Sequence, residues 1–186
     1  MMIGSNYWDE LEYNKLKLLL NIEKVNSIMD VAKGEKMLDA DFPLSVEMHL
    51  TDICNLKCAW CTDKELRKNG ATLPLKVIER LFKEFGAHST GVTLEGGGEP
   101  TLHPQFADVV STGNKYGVDM GLITNGTNDI SEIVHKLKWV RVSLDSSTGE
   151  EYVAEKGVDA IESAKDIYRC RICFDNKKSK RFRRVD

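Results

Sequence analysis

Cys54-Asn55-Leu56-Lys57-Cys58-Ala59-Trp60-Cys61 follows directly on the extended apolar run of residues 44–51, and this strand-then-loop junction decides how the rest of the chain is read. Three thiols fall within eight residues, separated by three and then by two positions. A single loop can present all of them to one metal centre, but a closed centre takes four ligands. The fourth must come from elsewhere.

Working outward, Val46, Met48 and Leu50 alternate with Ser45, Glu47, His49 and Thr51, the period of a strand. Downstream, Pro74 opens a predicted helix with Leu75, Ile78, Leu81, Phe82 and Phe85 on one face and Gly86 as its stop. A second strand, 91–95, runs into Gly96-Gly97-Gly98-Glu99-Pro100; Pro104 then sits in the first turn of a helix carrying Phe106, Val109 and Val110. A third strand, 118–123, ends in Thr124-Asn125-Gly126, and a helix over 130–137 follows with Asp129 as its cap. A fourth strand, 139–144, ends at Asp145-Ser146-Ser147, and Thr148 with Glu151 forms a capping-box signature for the next helix. Upstream, residues 8–32 lack proline and glycine and show helical apolar spacing; 33–41 read as a polar linker.

Strand, loop and helix repeated four times predict a parallel sheet with right-handed crossovers. Ligands of such sheets sit at the carboxyl ends of the strands. The cysteines, the glycine turn, Thr124-Asn125-Gly126 and Asp145-Ser146-Ser147 all fall at those ends, which predicts one shared site. The polar members of the strands, Glu47, His49, Arg141, Ser143 and Asp145, are expected to line an interior cavity if their apolar neighbours face the helices.

With 186 residues and 41% hydrophobic content, the chain can bury a substantial core. A net charge of -3 offers no whole-chain attraction to nucleic acid or anionic lipid, so neither is expected as a partner. No apolar run reaches the roughly 20 residues of a membrane span, and the start lacks a basic, then apolar, leader. Five cysteines, three of them clustered, suit metal chemistry in a reducing compartment, so a cytoplasmic location is expected.

The motifs together resemble the radical S-adenosylmethionine (radical SAM) superfamily: Cys54-x-x-x-Cys58-x-x-Cys61 with Trp60 before the last cysteine, and Gly97-Gly98-Glu99-Pro100 after the next strand. The resemblance implies that Cys54, Cys58 and Cys61 bind three irons of a 4Fe-4S cluster, leaving the fourth open for the amino and carboxylate groups of S-adenosylmethionine. It further implies reductive cleavage of that cofactor, fed by a low-potential electron donor protein, to start hydrogen abstraction from a peptide or small-molecule substrate. By the same resemblance, Gly97, Gly98 and Glu99 hold the methionine ammonium, Ser143 and Asp145 meet the ribose, Trp60 lies in the loop that meets the adenine, and Thr124 and Asn125 border the rim.

The fold implied is an α/β partial (β/α) barrel with four βα units, five if 167–174 forms a strand. The expected organisation is a helical extension over 1–40, the barrel domain over 41–174 and a basic, disordered tail over 175–186. Relatives carry six units, so the chain reads either as truncated or frame-shifted, or as one whose barrel a partner chain closes.

Bland readings stand beside each of these. C-x3-C-x2-C also suits zinc if His49 or a distant cysteine completes the set, and Cys58-Ala-Trp-Cys61 suits a redox pair. A non-catalytic iron-sulfur-binding remnant fits the missing units. Glu99, Asp145 and Ser147 also read as caps, His49 as a hydrogen-bonded cavity residue and His103 as a turn residue. Cys170 and Cys173 form a second C-x-x-C that reads as ordinary strand cysteines, since two thiols complete no cluster.

Overall fold

The computed structural model describes residues 42–165 apart from 66 and 68, together with 30 and 32–34. The expected N-terminal helix and linker, apart from those few positions, the fifth strand at 167–174, Cys170, Cys173 and the basic tail lie outside the described residues.

Within them, β1 (Ser45–Met48), β2 (Gly91–Leu94), β3 (Met120–Thr124) and β4 (Trp139–Val142) form one parallel sheet in the order β1-β2-β3-β4. Helix α1 (Leu75–Ala87) links the first pair, α2 (Phe106–Lys115) the second, and α3 (Gly149–Lys156) follows β4. Parallel register places one apolar row across the sheet: Met48 pairs with Leu94, Leu94 with Leu122, and Leu122 with Val140. All four are buried. Against this face pack Ile78, Phe82 and Phe85 of α1 and Phe106, Val109 and Val110 of α2. Each such side chain contributes roughly 1.5–3 kcal/mol by leaving water. The four strands and the three helical units 75–87, 106–115 and 149–156 follow the alternation and caps seen in the sequence.

Two expectations are corrected. The segment 130–137 is not an α-helix; it is a turn leading into a short 3-10 helix, Val134–Lys136. Ile130, Val134 and Leu137 are buried with helical spacing, but eight residues pinned at both ends suit a 3-10 connector better than a nucleated helix. Nor is the polar strand face an enclosed cavity among the described residues, where Glu47, His49 and Arg141 are exposed. Four strands make only an arc, and a sheet encloses its concave side only when more strands curl round to meet the first. At finer scale, Gly86 is the penultimate residue of α1, not its stop, and α2 begins at Phe106, after Pro104.

Candidate cluster site at the carboxyl edge of the sheet

After β1 the chain makes a long excursion that closes on itself. Its neck is an antiparallel bridge between Thr51 and Thr72. Asp52 N donates to Ala71 O at 2.7 Å, Leu73 N to Leu50 O at 2.9 Å, and the two threonine hydroxyls meet at 2.9 Å. Beyond the neck lie the cysteines, all half-buried and free of disulfides. Helix α3 braces their loop from below: Lys57 N donates to Lys156 O at 2.9 Å and Ala59 N to Glu155 O at 3.0 Å. The last carbonyls of a helix have no partner within it, so the loop supplies donors that α3 lacks.

The turn after β2 is threaded under the same loop. Gly98 N donates to Thr51 O at 2.7 Å and Glu99 N to Ile53 O at 2.8 Å. A Cβ at position 98 would overlap the Ile53 carbonyl, and Gly97 takes a φ of 62°, so both positions require glycine. Glu99 is buried, and its carboxylate is a junction: Oε1 accepts from Thr124 Oγ1 at 2.6 Å, Thr101 Oγ1 at 2.7 Å and Thr101 N at 3.2 Å, while Oε2 accepts from Asn125 N at 2.8 Å. Two oxygens offer about four acceptor sites, so Oε1 is crowded and Oε2 keeps room for one more donor. Capping and site roles coexist here, since Glu99 caps the 3-10 helix Pro100–Leu102 while reaching β3.

The end of β3 then ties back to the cysteines. Asn125 Nδ2 donates to Asn55 Oδ1 at 2.9 Å, Asn55 Nδ2 to Thr127 Oγ1 at 2.8 Å, and Thr127 Oγ1 to Asn125 Oδ1 at 2.7 Å, a closed ring of three side chains. From β4, Ser143 N donates to Thr124 O at 2.8 Å, and beyond it Asp145 pairs with Lys156. Lys156 is almost wholly buried, with its ammonium 5.0 Å from the centroid of the Trp60 ring, which is itself 51% exposed. The expected site residues Glu99, Thr124 and Asn125 are thus directly bonded to one another. Trp60 and Asp145 meet through Lys156. His49 stands apart, exposed, with its ring against Gly96. His103 is a buried turn residue: Nδ1 accepts from Gln105 N at 3.1 Å, so Nε2 carries the proton and donates to Leu73 O at 2.8 Å.

Electrostatics sets the thiols apart. Burial pushes the Cys58 thiol above its ordinary value; the Lys156 ammonium opposes this, and Cys54 and Cys61 add to it. Arg67 Nη2 donates to Cys61 Sγ at 3.1 Å. Tyr152 is fully buried on α3, and its hydroxyl has no partner among the described residues. Burial raises its pKa, and the charges of Cys58, Asp145 and Glu99 raise it further.

Four contributors escaped the sequence reading: Asn55, Arg67, Tyr152 and Lys156. The one available signal was the spacing of Tyr152 and Lys156, four apart behind the Thr148 cap, which puts both on one face of α3.

The donor set can be tested against the group it would hold. Among the described residues no three His, Cys, Asp or Glu side chains gather at the spacing of a single metal ion. His49 is not gathered with the cysteines among the described residues. Three free, half-buried thiols on one loop, with the Arg67 guanidinium donating to Cys61, are the donor type a multi-iron cluster takes.

A parallel α/β arc with a three-thiol loop at its carboxyl edge, braced by every strand end, defines the class. The radical SAM superfamily pattern matches residues 48–170, and the chain belongs to that superfamily of enzymes. The mycofactocin maturase MftC of Mycobacterium tuberculosis is 28% identical over 139 residues, covering 72% of this chain and 35% of MftC. The GTP 3',8-cyclase of Photorhabdus laumondii is 30% identical over 128 residues, covering 61% of this chain and 37% of the cyclase. In fold, SuiB of Streptococcus suis bound to its precursor peptide SuiA superposes with a TM-score of 0.59 at 23% identity, covering 89% of this chain and 43% of SuiB. The chain thus spans about a third of the length of the curated relatives it matches.

Proposed function

We propose that Cys54, Cys58 and Cys61 hold a 4Fe-4S cluster with one open iron for S-adenosylmethionine, and that the chain acts in reductive cleavage of that cofactor to begin hydrogen abstraction from a substrate. The observation that carries this is the convergence of strand-end turns on a loop with three thiols and, among the described residues, no fourth ligand gathered with them. When bound, the cluster and its cofactor supply one-electron chemistry that side chains lack. The protein's part is to bind and orient. Glu99 Oε2 has a free acceptor position for an ammonium, and the buried Lys156 offers a positive charge beside Cys58 and Asp145. Trp60, half exposed with Lys156 at its ring, would meet the adenine, Ser143 and Asp145 would meet the ribose, and Thr124 and Asn125 hold Glu99 in place.

A peptide substrate is favoured over a small metabolite because MftC is named a maturase and SuiB is seen bound to a precursor peptide. Electrons would come from a low-potential donor protein. A reducing, cytoplasmic setting fits the free thiols, and no described helix is long and apolar enough to cross a membrane. Further strands, from this polypeptide or from a partner chain, would close the concave face.

The test is anaerobic reconstitution with iron and sulfide, followed by incubation with S-adenosylmethionine and dithionite and mass-spectrometric detection of 5′-deoxyadenosine. Iron uptake lost in the Cys54→Ala, Cys58→Ala and Cys61→Ala variants, with 5′-deoxyadenosine from the parent chain, is the expected result. Iron uptake without cleavage would leave a non-catalytic cluster protein; a folded chain that takes up no iron would overturn the reading altogether.

A further inference from the structure

Arg67 lies on the return limb of the cysteine loop, where its backbone N–H closes a turn onto Asp63 O at 3.1 Å. Its guanidinium reaches back across the loop. Nη2 donates to Cys61 Sγ at 3.1 Å, so the guanidinium is fastened to the last thiol of the motif. Nε is buried and has no partner among the described residues. An orphaned buried donor costs about 1–3 kcal/mol, and a guanidinium carries five N–H groups in a rigid fork. Only part of that fork is used by protein acceptors.

We propose that Arg67 is a positioning residue for the cluster: its guanidinium donates an N–H···S hydrogen bond to the ligating sulfur of Cys61 and raises the cluster's reduction potential. This rests on the cluster reading of the same loop. The physical reason is that an added electron spreads onto sulfur. A fixed cation and its donors therefore stabilise the reduced state more than the oxidised one. A lysine at this position would keep the charge but carry its three donors on a compact, rotatable ammonium, whereas the planar guanidinium fork is fixed in direction.

The experiment is a redox titration, followed by electron paramagnetic resonance, of the reconstituted full chain and its Arg67→Met and Arg67→Lys variants, with iron counted in each. Arg67→Met should retain its iron but shift the midpoint to a more negative value. A tenfold change in the ratio of reduced to oxidised cluster at fixed potential is expected, which is about 59 mV for one electron. Arg67→Lys should shift in the same direction by less. If Arg67→Met does not fold, Arg67→Lys decides, and a wild-type midpoint in it overturns the proposal. A midpoint unchanged in Arg67→Met, with or without loss of iron, also overturns it, because a merely structural arginine would alter occupancy and leave the potential alone. A parent chain that takes up no iron defeats the functional reading and this one together, whereas a cluster indifferent to Arg67 defeats only this one.

Discussion

The hydroxyl of Thr124 donates to Glu99 Oε1 at 2.6 Å, and this bond fastens the turn after β2 to the end of β3 inside the molecule. Asn125 N joins the same carboxylate from the β3 side and Thr101 from the β2 side. Glu99→Ala removes the acceptor of several buried donors at once. With hydrogen bonds to a charged group contributing about 1.5–3 kcal/mol each, the loss expected in urea unfolding is at least about 3 kcal/mol. Thr124→Val deletes one of these bonds and should cost about 1–2 kcal/mol. An alanine variant as stable as the parent would show that the junction contributes nothing.

The pairing of Lys156 with Asp145 is unequal, since the lysine side chain is 3% exposed and the aspartate 46%. Removing either partner should therefore have different effects. Asp145→Ala strands a buried ammonium, with an expected cost of about 3 kcal/mol, the low end for a broken buried pair because the aspartate site is half open to water. Lys156→Met replaces the buried charge with an apolar chain of similar length and frees an aspartate that water can solvate. Its stability should stay within about 1 kcal/mol of the parent. Equal losses in the two variants by thermal or urea unfolding would contradict this asymmetry.

How much of this was legible beforehand follows from the distance over which each residue acts. The apolar row Met48, Leu94, Leu122 and Val140 is written in local alternation, and Ile78, Phe82 and Phe85 in local helical spacing; both match the packed face. The capping box is likewise local and is present, with Thr148 and Glu151 bonded reciprocally. Ile130, Val134 and Leu137 carry the same helical spacing yet build only a 3-10 turn, because periodicity reports a buried face and not whether the segment is long enough to nucleate a helix. Asn55 escaped notice because its partner Asn125 is 70 residues away. Lys156 reads as solvent-facing in any helix, and only the closure of α3 onto the cysteine loop turns it inward. The cysteine motif stands out by local spacing alone, whereas the bond of Arg67 to Cys61 and the closure of α3 onto the loop depend on tertiary contact.

Acid should loosen α3 before the sheet. Bonds from the Ser147 hydroxyl and from the backbone N–H groups of Ser147 and Thr148 hold the Glu151 carboxyl below its usual range. A depressed folded pKa contributes stability that is present above the unfolded value, about 4.3 for glutamate, and is lost as pH falls through the folded value. Melting temperature should therefore drop in acid with a component that Glu151→Gln removes. Thr148→Ala should cost about 0.5–2 kcal/mol at neutral pH by taking away the other half of the cap. Acid limbs that coincide for the parent and Glu151→Gln would rule out this contribution.

Tyr152 gives the sharpest separation of folding from ligand binding. Its ring is fully buried and packs the molecule, while its hydroxyl has no partner among the described residues and lies near Cys58, Asp145 and Glu99. Tyr152→Phe keeps the ring and deletes only the orphaned group. Relief of the unmade hydrogen bond should leave stability unchanged or raise it by up to about 1 kcal/mol, whereas Tyr152→Ala should lose about 3–5 kcal/mol with the aromatic volume. Equilibrium unfolding of the iron-free chain measures both. The same Phe variant, reconstituted and titrated with S-adenosylmethionine by calorimetry, then asks whether the hydroxyl serves the bound state. A bound ligand that accepts this donor should lose affinity by about fivefold or more, from the loss of one hydrogen bond of about 1 kcal/mol. A Phe variant that is markedly less stable than the parent while iron-free would instead mean that the hydroxyl already has a partner in the folded chain.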